Sequence, residues 1–331
     1  MALRAIPTDT PLRRPPPDYC PPGSARWFTL TEGPDAGRTM FFTDHGTGPD
    51  DAPEHTVVFV HGNPESSYTY RHVRDSLIGS ETPMRIVAMD HLGLGLSDQA
   101  TFEMVDMHHS ANLVQLIEHL YLRDVILVVH DWGGPIGIGA FLEQAWRVRG
   151  LVVMNSTVFP MPADGLTYTN FPITWLPWAA TPRLIPGPLW GGVAACVVPH
   201  GEPQSTGRFL INTATWVARH GARRIPETAP EFVWSQMLRS GANARSSKRM
   251  VRQTPVWGHG YTYDDPTHGT QDNHTYYRRM QERIGAEWGP AGRDIPAAGH
   301  FGRWDPCGKE SVVDQWHAAL PRLAEDTHVY P

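Results

Sequence analysis

Asp131 sits at the end of an apolar run, Val125-Ile126-Leu127-Val128-Val129-His130, and just before Trp132-Gly133-Gly134-Pro135. A mostly β-branched run of this length reads as a strand buried on both faces. The two glycines then allow a close approach into a helix that begins near Pro135. Strand, sharp turn and helix together hold one reactive side chain exposed above a sheet, the geometry of a nucleophile elbow. A serine there would attack a carbonyl and would need a base. An aspartate is already ionised at neutral pH and suits displacement of a leaving group from saturated carbon. The product is an ester on Asp131 itself, which water then hydrolyses, so one hard displacement becomes two easier steps. The bland alternative is an aspartate that only caps the following helix.

The elements that must position Asp131 alternate. Arg26 to Leu30 and Thr39 to Thr43 read as two opening strands around a Gly/Asp turn. Thr56 to Val60 is a buried strand leading into His61-Gly62-Asn63-Pro64, with a helix from Ser66 through Leu77. Arg85 to Met89 is a further strand, followed by a glycine-broken loop from Asp90 to Asp98. Met104 to Leu122 has helical spacing, with Leu113, Leu116, Ile117 and Leu120 on one face. After the elbow, a helix to Trp146 and a strand from Leu151 to Met154 complete a pattern that implies a parallel sheet. Ligands of such sheets bind beyond the carboxyl ends of the strands. From Thr157 to Ser247 no buried strand is legible. Trp175, Trp178, Trp190, Trp216 and Trp234 mark a mostly helical insertion over the active edge, and simple packing accounts for most of them. The sheet resumes weakly at Pro255-Val256-Trp257-Gly258 and again at Arg293 to Pro296. Helices are expected from His274 to Glu287 and from Glu310 through Leu323.

Composition narrows the function classes. The chain has 331 residues and a formal net charge of −6, with no run of like charge to engage nucleic acid. Its three cysteines, Cys20, Cys196 and Cys307, are odd in number and widely spaced, and suggest neither a disulfide framework nor a metal site. Met1 to Gly23 is rich in proline and arginine and lacks an apolar core, so it reads as an extended arm and not as a signal peptide or anchor. The expectation is a soluble cytoplasmic protein without metal or cofactor, and without a membrane or nucleic-acid partner. Oligomeric state is not legible.

With His61-Gly62-Asn63-Pro64 before the elbow, Asp131-Trp132-Gly133-Gly134-Pro135-Ile136-Gly137 in it, Leu151-Val152-Val153-Met154-Asn155 after it and Gly299-His300-Phe301 near the end, the chain resembles the haloalkane dehalogenases of the α/β-hydrolase superfamily. The likeness is strong over about residues 25 to 156 and weaker towards the end. It implies an α/β-hydrolase fold with a proline-rich arm at 1–24, core at 25–156 and 248–331, and a helical cap at 157–247. It also implies that Asp131 is the nucleophile and His300 the base that activates water, an imidazole suited to that task at neutral pH. The backbone N–H groups of Asn63 and Trp132 would form the oxyanion hole. The Asn63 amide and the Trp132 indole would hold the departing halide, two neutral donors stabilising an anion in a dry pocket. The partners implied are a small halogenated substrate, water and the halide product.

The orienting acid is the place where the pattern breaks. Asn155 occupies the first position at which such an acid is found, so the acid should follow Trp257-Gly258. Three residues past that glycine stands Tyr261. Asp265, in an acid–proline pair with Pro266, is the first candidate, Asp264 the second and Asp272 the third; solvated loop acids are the alternative for all three. Val129 also stands where such elbows favour a small residue. Two other readings stay open. An epoxide hydrolase shares the elbow but needs acidic tyrosine hydroxyls from the insertion, which holds only Tyr168. A non-catalytic ligand-binding relative on the same scaffold follows if the acid is missing.

Overall fold

The computed structural model describes residues 10–47, 55–186, 190, 206–221 and 241–331. A hairpin comes first, Ala25–Thr29 (β1) pairing antiparallel with Thr39–Gly46 (β2). The alternating part follows: His55–Val60 (β3), helix Arg71–Ile78 (α1), Met84–Met89 (β4), helix Asp106–His119 (α2), Val125–His130 (β5), helix Gly133–Leu142 (α3) and Val148–Met154 (β6). Val57 to Val60, Val125 and Leu127 to Val129 lie inside because both sheet faces are covered, with Ile126 partly buried. On α2, Leu113, Leu116 and Ile117 are buried, as their spacing requires.

Past residue 156, Pro172–Ile173 (β7) and Leu176–Pro177 (β8) pair only with each other, ahead of the short helix Thr181–Leu184 (α4). Helices Thr206–Gly221 (α5) and Gly241–Gln253 (α6) belong to the same stretch. Trp178 and Trp190 are buried, whereas Trp175 is exposed. Trp216 lies on α5, and Trp234 and Cys196 fall outside the described residues.

The late part of the sheet corrects the sequence reading. Residues 254–257 form no strand: Thr254–Val256 is a 3-10 turn, in which Pro255 has no N–H to give to a ladder. Thr262–Asp265 (β9) and Gly269–Asp272 (β10) form a separate hairpin. Helix His274–Trp288 (α7) follows as expected. Ala297–Gly302 (β11) then takes the place beside β6, starting just after the segment expected from Arg293 to Pro296. Helices Glu310–Ala319 (α8) and Pro321–Glu325 (α9) lead to an edge strand, Thr327–Tyr330 (β12). The sheet order is β1-β2-β4-β3-β5-β6-β11-β12, antiparallel through β2 and parallel from β4 onward.

The described part of the N-terminal segment packs down instead of extending. Leu12 and Tyr19 are buried with Phe41, Tyr68 and Leu96, and the Tyr19 hydroxyl donates to Asp90 Oδ2 at 2.8 Å. Among the described residues no helix is long and apolar enough to cross a membrane, and no cluster of His, Cys, Asp and Glu could hold a metal ion.

Candidate active site

Parallel pairing brings three loops together at the carboxyl ends of β3, β5 and β11. Val60 of β3 lies opposite Val129 of β5, so the loops after both strands leave the sheet side by side. Asp131 takes φ +50°, a left-handed conformation uncommon for an aspartate, which swings its carboxylate out of the strand direction. Two glycines permit the turn. A β-carbon at Gly133 would fall on the Val60 carbonyl, and one at Gly62 on the Asp131 side chain. With that space open, the Asn63 N–H donates to Asp131 Oδ2 at 2.8 Å. The Trp132 N–H is a second backbone donor to the same carboxylate. From the neighbouring loop, the Ser156 hydroxyl donates to the Asp131 carbonyl and ties the elbow to the end of β6.

Burial sets the electrostatics. It raises the Asp131 carboxyl to about 7; His130 and the two backbone donors pull it down, and Glu65 pushes it up. Burial opposes charge on His130, but Glu65, with Oε2 2.8 Å from His130 Nδ1, and then Asp131 and Asp305 outweigh it and raise the imidazole to about 9. Burial likewise lifts Asp305 to about 6 against the pull of the Cys307 N–H, which donates to it at 2.7 Å. A pH profile follows. An Asp131 acting as nucleophile would attack carbon only when ionised, so in that role single-turnover substrate cleavage should rise about tenfold between pH 6 and pH 8 and level off above. A profile flat from pH 5 to pH 9, by rapid-quench halide release, would contradict a carboxyl raised this far.

These groups line a cavity of about 100 Å³ with Asn63, Pro64 and the aromatic walls Tyr168, Phe171, Trp178 and Trp304. Trp304 is half exposed and marks where the cavity meets solvent. The arrangement offers a buried carboxylate with two backbone donors already on it, an ion-paired histidine, a second carboxyl and apolar walls.

The sequence-derived residues are distributed unevenly around this cavity. Asp131 and Asn63 line it. The Asn63 side chain turns its Nδ2 to the Ser247 carbonyl on α6 at 3.2 Å, leaving Oδ1 buried and unpaired. Trp132 is buried and stacks on Trp257 at 3.9 Å between ring centres. His300 does not join them. It lies within β11, its Nδ1 is 3.0 Å from the Tyr330 hydroxyl, and its ring stacks on His328. Asp265 is not brought to His300 either. Its Oδ1 accepts the Thr267 and His268 N–H groups, both at 2.9 Å, and so closes the β9–β10 turn. Asp264 accepts the Thr270 hydroxyl in the same hairpin, and Asp272 accepts the His274 N–H at the start of α7.

Glu65, His130 and Asp305 were missed. Asp305 carried a readable signal: Gly302-Arg303-Trp304-Asp305-Pro306 places an acid three residues past a glycine and before a proline. That is the spacing expected after Gly258, where Tyr261 stands instead.

A sequence profile of the alpha/beta hydrolase fold matches residues 55–187. Among solved structures, a haloalkane dehalogenase from Paraglaciecola agarilytica superposes with a TM-score of 0.61 at 21% identity, covering 95% of this chain and 86% of that one. The chain has the α/β-hydrolase fold. A second structure, a haloalkane dehalogenase from Agrobacterium tumefaciens, superposes on this chain with a TM-score of 0.57 at 20% identity, covering 93% and 88% of the two chains. In sequence this chain is 34% identical over 151 residues to haloalkane dehalogenase 2 of Mycobacterium tuberculosis, a match covering 45% of this chain and 47% of the relative. It is also 35% identical over 137 residues to a cis-3-alkyl-4-alkyloxetan-2-one decarboxylase of Xanthomonas campestris, 39% and 43% of the two chains. The chain thus matches somewhat under half the length of these curated relatives.

Proposed function

We propose that this α/β hydrolase is a hydrolytic dehalogenase that cleaves carbon–halogen bonds of small haloalkanes through an ester on Asp131. One observation carries the reading: a carboxylate at the elbow, buried against apolar walls and held by the backbone N–H groups of Asn63 and Trp132. In the first step an Asp131 oxygen bonds to carbon, and the carbon–halogen bond breaks with its electron pair leaving on the halide. In the second, water adds to the ester carbonyl while the two backbone donors stabilise the oxyanion. Asp305 shares the cavity, and its raised carboxyl suits it to take the proton from that water. Collapse releases the alcohol and restores the Asp131 carboxylate, and Asp305 then loses its proton to solvent.

A halide-release screen of the purified protein with short bromo- and chloroalkanes tests this reading. Release above the no-enzyme rate supports it, and none across the panel defeats it. Tyr168 gives a second reading a footing, because its hydroxyl reaches into the cavity within 3.5 Å of Asp305 and could protonate an epoxide oxygen. Epoxides therefore belong in the screen, as does an oxetan-2-one, in view of the similarity to the decarboxylase. Ligand binding without turnover of any of these would favour the non-catalytic alternative.

Halide stabilisation by the Trp132 indole and the Asn63 amide predicts that Trp132→Phe and Asn63→Ala each slow carbon–halogen cleavage about a hundredfold. The backbone donors survive both changes, so ester hydrolysis should change little. Single-turnover cleavage at the parent rate in both variants would refute the assignment.

A further inference from the structure

Away from the catalytic cavity, a groove of about 900 Å³ lies between the turn after β1, one face of α2, and parts of α3 and α7. Its volume falls in the range of small-molecule sites. Phe28, Phe102, Met104 and Met107 give it apolar walls, and its charged side chains are Glu32, Asp35, Glu118 and Glu143, with no lysine or arginine among the lining residues.

Asp35 is the decisive group. It is only 1% exposed, and Oδ1 accepts the Thr101 hydroxyl at 2.8 Å, while Oδ2 is buried with no hydrogen-bond partner. Neighbouring His108 does not neutralise it. His108 Nδ1 accepts the Val105 N–H at 3.0 Å, so Nε2 is left to donate to Gln271 Oε1 at 2.9 Å, and both nitrogens of a neutral ring are used. Asn112, also in the lining, is 5% exposed, and its Nδ2 has no partner. Buried polar groups are normally satisfied, and a buried carboxylate lacking a partner is costly. Glu143 is already paired with Arg279 at 3.0 Å, but an acceptor-rich groove with no lysine or arginine in its lining, an unpaired carboxylate oxygen and an unpaired amide donor has the chemistry of a receptor for positive charge on an apolar body.

We propose that this groove is a second binding site, distinct from the Asp131 cavity, for an organic cation with an apolar body. The ammonium meets Asp35, the body lies against Phe28, Phe102 and Met107, and Asn112 serves an oxygen where the ligand carries one.

Calorimetric titration of the whole protein with 4-phenylbutylammonium, 4-phenylbutanol and 4-phenylbutyrate tests the site. The ammonium should bind once per chain, at least tenfold more tightly than the alcohol, and the carboxylate not at all. Its affinity should fall as sodium chloride is raised. Asp35→Asn keeps an acceptor for Thr101 and should weaken the ammonium about tenfold or more. Ala111→Trp, which fills the groove without touching Asp35, should abolish binding, with folding of both variants checked by circular dichroism. Asp131→Asn should leave the affinity unchanged. Equal binding of all three probes would overturn the proposal. So would loss of the ammonium in Asp131→Asn with retention in Asp35→Asn, which would place the cation in the catalytic cavity.

Discussion

Asp131→Ala is expected to abolish halide release and to leave the protein folded and no less stable at pH 8. Loss of activity is expected because no other carboxyl in the cavity stands at the elbow with the Asn63 and Trp132 N–H groups on it, so no other group can both attack and place the resulting oxyanion on that pair of donors. Stability follows from the sign of the shift. Burial raises the Asp131 carboxyl from the ordinary carboxylate range to about 7. A group raised in the folded state contributes stability that is fully present below its unfolded value near 4 and is lost as pH rises through 7. The parent therefore loses stability across that window, by a few kcal/mol at most, and the alanine variant does not. The difference in Tm between variant and parent should move in favour of the variant from pH 5 to pH 8. Steady-state halide release near the parent rate would remove Asp131 from the nucleophile's role. A Tm difference that does not change with pH would show that Asp131 titrates normally.

Much of this site was legible because its positioning is local. The β-branched runs of β3 and β5 have few other ways to be buried, and once they pair in parallel, Asn63 and Asp131 must leave the sheet as neighbours. The choice of strand beside β6 was not legible. Ala297-Ala298-Gly299-His300-Phe301-Gly302 is built mainly of small residues with weak strand preference, and it resembles a loop bearing a histidine. It becomes a strand only through long-range pairing with β6 and β12, which sequence spacing does not encode. That pairing holds His300 within the sheet and brings Asp305 out beyond its edge. Asp265-Pro266 misled for a related reason. An aspartate before a proline also suits a hairpin turn, where its carboxylate satisfies the next backbone N–H groups, and that is its use here. His130 and Glu65 were passed over because the Glu65–His130 pair forms only when the loops after β3 and β5 meet.

Asp305→Asn separates the two halves of the proposed reaction more sharply than any other single change. Alkylation needs only the ionised Asp131, so the first turnover should release about one halide per enzyme at close to the parent rate. Hydrolysis then lacks its proton acceptor, and the steady-state rate should fall a hundredfold or more, the usual contribution of a positioned base. Intact-mass spectrometry should show the parent mass plus one alkyl group, and digestion should locate that group on Asp131. Asp264→Asn, Asp265→Asn and Asp272→Asn serve hairpin and helix-start contacts far from this chemistry and should turn over like the parent. His300→Phe is the informative comparison. With its ring on Tyr330 and His328 it should also retain turnover. A trapped ester in His300→Phe, with normal hydrolysis in Asp305→Asn, would mean that His300 reaches the ester during catalysis and that Asp305 is not the proton acceptor. A trapped ester in both would make the two residues one relay, with Asp305 positioning the imidazole.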